Sequence, residues 1–475
     1  MRTHGRSSGA LPASVCFLVL AAGSANAGFE SGVVVVHPTT AHIPQVSACT
    51  DGDRGALVVW QENTVGAAGP LRAAHVLASG EIDAAWPPEG AVVCAVAAGR
   101  SALGAVTDDA RGAFVWWVDG GVITATHVTA AGTVSEGWPA TGRVLGQSHD
   151  PPQVIADGTG GVYVGWFDIG LTAGQRERVL AIHLGADGHA TGGWPDSPLA
   201  FESPLEDRLN VLPAFALGAG GSLWAAWLGL IIEPLTGSAS GGYFVSRVRS
   251  SGAAWPGWTL GGMEIVPLNG ELQSVPSKGM RPVAIADAAD AGFLLLTFDD
   301  AVALDGYAYS PMSLRRFSSD GSIAPGWPEA GVPVGASFYP GAEAGASPRL
   351  MRGTDGRILT GIAGFGVEST EGYTFTRRAP DGLPLSTVGT TSIAQGLKVH
   401  FSPAGDLARA WSLPMGWHNG LAGRDAAISG ACVASDDAIA SFDEDQPYEF
   451  GDWTVWYGDA DIALTGDGAA IFIWS

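Results

Sequence analysis

Short apolar runs, interrupted every few positions by glycine, proline or aspartate, dominate the chain. The clearest stretch has apolar or alternating segments at 152–156, 162–166, 178–184 and 198–202. Such runs predict strands, and the Asp-Gly-Thr-Gly-Gly segment at 157–161 predicts the hairpin turn between the first two. Because no helical period is present, the stretch predicts four short antiparallel strands.

The same arrangement recurs along the chain. In its first block, an aspartate opens a turn, a tryptophan follows nine residues later, and an acid stands two residues after the tryptophan. Three stretches match: Asp51, Trp60 and Glu62; Asp108, Trp117 and Asp119; Asp157, Trp166 and Asp168. Weaker copies cover 218–227, 287–298, 355–362, 406–411 and 466–474. Self-similarity of this kind indicates a repeat architecture.

A second block follows each first block. It is a predicted strand that carries His or Arg, with a glycine five residues later and a tryptophan six residues after the glycine. The matches are His75, Gly80 and Trp86; His127, Gly132 and Trp138; His183, Gly188 and Trp194; Arg247, Gly252 and Trp258; Arg316, Gly321 and Trp327. Arg377 and Gly382 keep the first spacing and lack the tryptophan.

Four strands in a unit of about fifty residues predict the blades of an all-β fold, a β-propeller. First strands are predicted near residues 46, 103, 154, 212, 283, 350, 399 and 462. The last start leaves room for two strands, and residues 32–36 match the fourth strand at 142–146. We therefore expect one domain, 28–475, of seven to eight four-stranded blades, closed by pairing the N-terminal strand with the C-terminal strands. The segment 416–457 decides the count, and a linear solenoid is the rival architecture.

The N-terminus predicts export. Residues 1–27 combine a basic start, an apolar run and Ala25-Asn26-Ala27, which is typical of a signal peptide cleaved between Ala27 and Gly28. The chain is therefore expected to be secreted, either extracellular or periplasmic, with no later stretch suited to membrane insertion. A formal net charge of −23 argues against nucleic-acid binding, because phosphates require a basic surface.

The Asp-Gly-x-Gly-Gly…Trp-x-Asp pattern of 157–168, together with the Gly-Trp-Pro turn of 193–195, resembles the repeats of bacterial secreted β-propeller proteins. The resemblance covers residues 32 to about 395 well and the remainder weakly. It implies a secreted propeller built from these repeats, and it implies no particular activity.

Three histidines, His75, His127 and His183, raise the possibility of a zinc site. They occupy one position of successive units, and Arg replaces His at that position in later units, which a zinc site would not allow. We expect a structural role instead, a hydrogen bond to the acid two residues after the tryptophan. The repeated tryptophans are expected to fill gaps between neighbouring blades rather than to stack on sugars. The sequence thus predicts no metal, no cofactor and no catalytic residue.

Two points stay open at the level of sequence. The acidic segment 443–452 offers oxygen ligands for calcium, although we expect a solvated loop there instead. Removal of the signal peptide leaves Cys49, Cys94 and Cys432, so at most one disulfide can form.

These observations favour a monomeric, non-enzymatic propeller scaffold that binds a protein or glycan ligand. The alternative is an extracellular glycan-active hydrolase or lyase, such as a sialidase-like propeller, with its site in loops that interrupt the repeat. In the sialidase aspartate box, Trp follows Asp by five residues, whereas the gap here is nine. For an enzyme, 228–243 is the first candidate region and 299–310 the second.

Overall fold

The computed structural model of the chain is all-β, as predicted. It describes residues 14–20, 32–38, 42–64, 67–95, 99–148, 150–168, 178–201, 208–233, 239–268, 283–288, 290–299, 309–338, 348–365, 371–392, 398–401, 407–412, 417–418, 421–422, 428–433, 439–443, 460–464 and 470–474. Apart from one 3₁₀ turn, Ala219–Gly221, the regular elements in these residues are strands. Within them, no helix has the length and apolar character needed to cross a membrane.

Two N-terminal strands, β1 (Ser14–Leu20) and β2 (Gly32–Pro38), precede six repeat units. Each unit is one four-stranded antiparallel sheet whose strands follow chain order. Unit 1 is β3 (His42–Thr50), β4 (Ala56–Thr64), β5 (Ala67–Val76) and β6 (Ala91–Cys94). Unit 2 is β7 (Arg100–Thr107), β8 (Ala113–Asp119), β9 (Val122–Val128) and β10 (Arg143–Gln147). Unit 3 is β11 (Gln153–Ala156), β12 (Val162–Asp168), β13 (Arg178–Leu184) and β14 (Leu199–Phe201).

The next three units are built in the same way. Unit 4 is β15 (Arg208–Gly218), β16 (Ser222–Ile232), β17 (Ala239–Val248) and β18 (Met263–Pro267). Unit 5 is β19 (Val283–Asp287), β20 (Phe293–Phe298), β21 (Tyr309–Phe317) and β22 (Val332–Phe338). Unit 6 is β23 (Arg349–Arg352), β24 (Ile358–Phe365), β25 (Glu371–Arg378) and β26 (Pro384–Ser392).

The remaining strands form two further four-stranded sheets and a ribbon. They are β27 (Lys398–Phe401), β28 (Leu407–Ser412), β29 (Trp417–His418), β30 (Leu421–Ala422), β31 (Ile428–Val433), β32 (Ile439–Asp443), β33 (Ala460–Leu464) and β34 (Ala470–Trp474). One sheet has the order β27-β28-β31-β32, and β29 pairs with β30. The last sheet combines both chain ends in the order β2-β1-β34-β33.

The terminal sheet differs from the predicted pairing in one respect. Residues 33–36 do lie in the same sheet as the C-terminal strands, at the outer position. Their direct neighbour is β1, which pairs on its other side with β34 so that Cys16 stands opposite Trp474. The predicted direct pairing of 33–36 with a C-terminal strand is therefore wrong, because two C-terminal strands leave the third position to β1. The predicted cleavage site, Ala27 and Gly28, lies outside the described residues.

The first strands of neighbouring sheets lie side by side. β33 contacts β27 and β3, and β3, β7, β11, β15, β19 and β23 contact one another in that order. Buried polar side chains join them: Asp461 Oδ2 accepts hydrogen bonds from Ser47 Oγ at 2.8 Å and Ala48 N–H at 3.0 Å. Between units 3 and 4, the Gln153 amide exchanges two hydrogen bonds with the Phe215 backbone at 2.8 and 2.9 Å. The apolar core fills the space between successive sheets.

The two ends of the sheets differ in how constant their connections are. We call the end with the first-to-second and third-to-fourth connections the turn face, and the opposite end the loop face. On the turn face, the third-to-fourth connections of units 1 to 5 all have the same length: 77–90, 129–142, 185–198, 249–262 and 318–331. On the loop face, the connections differ in length: 65–66 and 120–121 are short, whereas 299–308 and 268–282 are long. In units 1 to 5, the length of these connections is thus fixed on the turn face and variable on the loop face.

In units 1 to 5, a tryptophan links the third-to-fourth connection to the next unit. Trp138 Nε1–H donates to the Ala186 carbonyl of unit 3 at 2.8 Å, and its ring covers Gly188, where an added Cβ would lie 3.0 Å from the indole. Equivalent bonds join Trp86 to Ala130 at 3.1 Å and Trp258 to Ser319 at 2.8 Å. The indoles therefore lie between neighbouring sheets, and the glycine at the contact leaves room for the ring.

Replacing Trp138 with Ala should lower the free energy of unfolding by about 3–5 kcal/mol, because a buried indole is removed from between two sheets. Trp138→Phe should cost less, since it keeps an aromatic ring and loses the hydrogen bond. Urea unfolding monitored by circular dichroism measures both. Val144→Ala, at a side chain 64% exposed, is the control and should change stability by less than about 0.5 kcal/mol. Equal losses for Trp138→Ala and the control would contradict the linking role.

Candidate functional site

The repeated aspartates organise the first-to-second turns. Asp51 Oδ1 accepts hydrogen bonds from the N–H groups of Asp53 at 2.8 Å and Gly55 at 2.9 Å, and its own N–H donates to the Gly55 carbonyl at 3.1 Å. Asp108 and Asp157 make the same three bonds in units 2 and 3. A Cβ on Gly55 would lie 2.5 Å from both Asp51 Oδ2 and the Val76 carbonyl, so only glycine fits there. The short side chain of Asp bonds its own backbone, which is why this residue suits the turn.

The second oxygen of each aspartate binds the histidine of the same unit. The Nε2 to Oδ2 distances are 3.0 Å for His75 and Asp51, 2.8 Å for His127 and Asp108, and 2.8 Å for His183 and Asp157. The side chains of all six residues are buried. The prediction that each histidine bonds the acid two residues after the tryptophan is therefore wrong. The turn aspartate takes its place because the turn and the third strand meet at the same end of the sheet.

The acid two residues after the tryptophan has a different role. Glu62 pairs with Arg72 at 3.2 Å and Asp168 with Arg178 at 2.9 Å, in both cases across the second and third strands towards the loop face. These are partly exposed ion pairs, and such pairs contribute little to stability.

The other imidazole nitrogen meets a different group in each unit. His75 Nδ1 lies 2.9 Å from Asp83 Oδ2, and His127 Nδ1 lies 2.5 Å from Ser135 Oγ. In unit 3 the corresponding residue is Thr191, and His183 Nδ1 has no hydrogen-bond partner among the described residues. Hydroxyl, imidazole and carboxylate are thus in line in unit 2, as in a nucleophilic hydrolase. Because the same imidazole–carboxylate pair recurs in units 1 and 3 without a hydroxyl bond, its constant role is to hold the turn to the third strand.

His and Arg do not exchange independently of the aspartate. In units 4, 5 and 6 the turn positions equivalent to Asp51 are Gly218, Ala288 and Gly353, and the positions equivalent to His75 are Arg247, Arg316 and Arg377. Each unit therefore has either an acid with His or a small residue with Arg. The sequence blocks that began at 287 and 355 were misaligned by one and two residues. Ala288 N–H and Gly353 N–H donate to the carbonyls that close these turns.

Arg247 shows how the arginine is hydrogen-bonded where the turn has a small residue in place of the aspartate. Its guanidinium donates to Ser222 Oγ at 3.1 Å, to the Ala291 carbonyl of unit 5 at 2.9 Å, and to the Ala219 carbonyl at 3.3 Å. It also stacks on Trp255, 3.7 Å from the ring centroid. In unit 5, Arg316 binds Asp290 at 2.7 Å. With no carboxylate at the first position of the turn, Arg binds oxygen atoms that lie farther away, which His could not reach.

The structure does not bring the three histidines together. His75, His127 and His183 lie on β5, β9 and β13, the third strands of three different sheets. Within the described part of the chain, no group of three or more His, Cys, Asp or Glu could hold a metal ion. The densest acidic segment, 443–452, is outside the described residues apart from Asp443.

The remaining predicted positions are tryptophans and cysteines. Trp60, Trp117, Trp166, Trp194 and Trp327 are all buried. Trp60 covers Gly90, where a Cβ would lie 2.4 Å from the ring, and this glycine, four residues after Trp86, is a feature that the sequence blocks missed. Cys49 and Cys94 are buried free thiols, and burial raises the pKa of Cys49 far above its ordinary value. The side chain of Cys432 lies outside the described part.

No model of a known protein family matches the sequence, and no curated protein matches it. Among solved structures, a protein of unknown function from Dyadobacter fermentans has a TM-score of 0.38 at 11% identity, covering 68% of this chain and 93% of that one. The GH93 α-L-arabinofuranosidase of Fusarium graminearum has a TM-score of 0.35 at 11% identity, covering 68% and 90%. Prolyl oligopeptidase B from Galerina marginata has 0.42 at 11%, covering 91% and 55%. At these scores the similarity assigns neither an activity nor a ligand.

Converting unit 3 to the arrangement of unit 4 should reveal the coupling between turn and strand. Asp157→Gly alone should cost about 3–5 kcal/mol, because it leaves a buried imidazole without its partner. The double variant, Asp157→Gly with His183→Arg, should be more stable than the sum of the single changes by at least about 1 kcal/mol. Urea unfolding of the four proteins gives the coupling energy, and simple additivity would contradict the paired exchange.

The first unit should also carry a pH dependence. Burial by itself lowers the pKa of His75, but hydrogen bonds to Asp51 and Asp83 raise it above its ordinary value. Burial raises the pKa of Asp51, but bonds from His75, Asp53 and Gly55 bring it below its ordinary value. Stabilisation from His75 is complete below about pH 6.5 and is lost as pH rises through its raised pKa. Stabilisation from Asp51 is complete above about pH 3.9 and is lost as pH falls.

The free energy of unfolding contributed by this pair should therefore be greatest between about pH 4 and 6.5. NMR titration of His75 should give a pKa above the ordinary value of histidine. His75→Gln should remove the part of the loss of stability at alkaline pH that comes from deprotonation of His75. A midpoint below the ordinary value would refute the assignment.

Proposed function

We propose that this chain is a secreted, non-enzymatic β-propeller of eight blades that binds a protein or glycan ligand through its loop face. In this interpretation the six repeat units, the sheet of β27, β28, β31 and β32, and the terminal sheet are the blades. The order of contacts between first strands supports a ring, since β33 contacts both β27 and β3. Cleavage of the predicted signal peptide removes β1, but β33 still joins the first strands of its two neighbouring blades, so the ring stays closed there.

The observation that carries the binding proposal is the contrast between the two faces. Turn-face connections keep one length in five units, and each of their tryptophans contacts the next unit. Loop-face connections differ in length from unit to unit. Symmetry must fail where a single ligand binds, and connections free to vary in length carry binding residues in many folds.

The fold reduces the two candidate binding regions, 228–243 and 299–310, to shorter segments. Residues 228–232 continue strand β16, and Leu228 and Leu230 are buried in the core, so that part of 228–243 is framework. The second region, 299–310, begins at Asp299, which pairs with Arg315 at 2.9 Å, and residues 300–308 lie outside the described part. The connection 268–282 is the longest on the loop face of the six repeat units. We place the ligand contacts in 300–308 and 269–282.

Replacing 300–308 with a two-residue Asn-Gly turn should weaken ligand binding at least tenfold without loss of the fold. The probe is a microarray of neutral and acidic glycans, followed by titration of each glycan that binds. Reducing-end release is measured on the same glycans to detect hydrolysis. The matched control replaces the turn-face connection 379–383 with a turn of the same length and should bind as the parent does.

Binding that survives shortening of both 300–308 and 269–282 would refute the loop-face assignment. Reducing ends that accumulate in the presence of the parent protein, and not after either shortening, would favour the hydrolase instead. Absence of binding to every glycan would restrict the proposal to a protein ligand.

A further inference from the structure

The third-to-fourth connection of unit 2 places a serine hydroxyl against a buried imidazole. Ser135 Oγ lies 2.5 Å from His127 Nδ1, and His127 Nε2 lies 2.8 Å from Asp108 Oδ2. His127 and Asp108 are buried, whereas Ser135 lies on the turn face and is partly exposed. A hydroxyl, an imidazole and a carboxylate in this order are the components of a nucleophilic serine site.

The serine is particular to unit 2. In each of units 1 to 5, one residue of this connection donates its N–H to the carbonyl of the repeated His or Arg. These residues are Asp83, Ser135, Thr191, Trp255 and Ala324. Asp83 offers a carboxylate, Trp255 and Ala324 accompany an arginine, and Thr191 makes no bond to His183 Nδ1. Of these five positions, unit 2 is therefore the one where a hydroxyl is bonded to an imidazole.

The carboxylate determines which imidazole nitrogen can act as a base. Burial raises the pKa of Asp108, but hydrogen bonds from His127 and from two backbone N–H groups of the turn bring it below its ordinary value. The carboxylate is therefore ionised at neutral pH and only accepts hydrogen bonds. His127 Nε2 must carry the hydrogen of their bond, which leaves the lone pair of the neutral imidazole on Nδ1. Nδ1 accepts the hydrogen bond of the Ser135 hydroxyl and can take its proton.

Packing holds these groups in their positions. The ring centroids of Phe114 and His127 lie 4.6 Å apart, and the Trp138 ring packs edge-on against Phe114 at 6.2 Å. Asp108 is fixed through its other oxygen, which accepts hydrogen bonds from Ala110 N–H at 2.7 Å and Gly112 N–H at 2.8 Å. A base that is already oriented towards the hydroxyl requires no rearrangement before the proton is transferred.

The turn that begins at the serine leaves backbone donors next to it in the sequence. Trp138 N–H donates to the Ser135 carbonyl at 3.2 Å and closes the turn. The N–H groups of the two central residues, Glu136 and Gly137, donate to no group in the described part of the chain. In serine hydrolases of the α/β class, the N–H of the residue after the nucleophile helps to stabilise the oxyanion. Glu136 N–H has this place in the sequence.

We propose that Ser135 is a nucleophile that reacts with neutral carboxylic esters and becomes acylated. Ser135 Oγ attacks the carbonyl carbon of the ester while its proton passes to His127 Nδ1. The bond between the carbonyl carbon and the alcohol oxygen then breaks, and the alcohol leaves with that proton. The site goes beyond the proposed ligand binding, since it lies at the end of the sheets opposite the loop face.

The surroundings of Ser135 restrict the ester. Glu136 is exposed directly after it, and the formal net charge of the chain is −23, so an anionic ester is disfavoured. The ester must also have a good leaving group. Loss of one oxyanion donor costs serine hydrolases about 10²–10³ in kcat, and a single adjacent N–H therefore gives limited stabilisation.

The test uses p-nitrophenyl acetate. The parent protein should release about one equivalent of p-nitrophenol per chain in an initial burst, and peptide mapping by mass spectrometry should find the acetyl group on Ser135. Ser135→Ala should lower the rate of the burst at least tenfold and should fold, because Ala324 occupies the equivalent position of unit 5. His127→Gln should also lower the rate at least tenfold. Circular dichroism checks that each variant is folded.

Two comparisons serve as controls. Ser79→Ala removes an exposed serine from the third-to-fourth connection of unit 1, and it should leave the burst unchanged within a factor of two. The anionic ester mono-p-nitrophenyl succinate should acylate Ser135 at least fivefold more slowly than the acetate. Equal rates for the two esters would contradict the restriction to neutral esters.

Two results would overturn the proposal. One is a burst that persists after Ser135→Ala in a folded protein, and the other is acetyl groups spread over several residues with no preference for Ser135. Release that continues beyond one equivalent and disappears in Ser135→Ala would support the nucleophile and would contradict a non-enzymatic function. Because the loop face takes no part in the assay, failure of glycan binding leaves this test unaffected.

Discussion

A buried carboxylate must have its oxygen atoms hydrogen-bonded, and this requirement governs the repeat unit. Asp51 meets it with two backbone N–H groups of its own turn and with the imidazole of His75 from the third strand. The turn is thereby fixed in shape and attached to the strand behind it. Because the same arrangement returns in units 2 and 3, successive sheets present nearly the same surface to their neighbours. The same set of contacts can then join each pair of these units.

Spacing in the sequence could predict much of this framework. The positions of His75, Gly80 and Trp86 repeat at fixed intervals, so the four-stranded unit and its glycine turns follow from the pattern. The partner of the histidine could not be predicted, because the turn and the third strand are adjacent only in three dimensions. The sequence alignment of units 5 and 6 was also wrong, because each block was started at an aspartate, Asp287 or Asp355. The backbone bonds that define those turns begin at Ala288 and Gly353.

The chain ends show a related limit. The apolar run within residues 1–27 has the composition of a signal peptide, and the same run has the composition of a buried strand. In the structure, part of it, β1, occupies the third position of the terminal sheet. The loop face was predicted only as the place where the repeat is interrupted. Loop closure costs rise slowly with length, so insertions there leave little trace in the rest of the pattern.

The tryptophan contact has a direction, because each indole reaches forward to a glycine of the following unit. Units 2 to 5 thus contain both halves of the contact, a tryptophan ring that reaches forward and a glycine that leaves room for the ring of the preceding unit. A tandem duplication of the gene segment would insert a copy that already fits the member before it and the member after it. The number of units can therefore increase without new kinds of contact between neighbouring units. At unit 6, where the projecting ring is absent, a copy inserted after it would have no ring to receive.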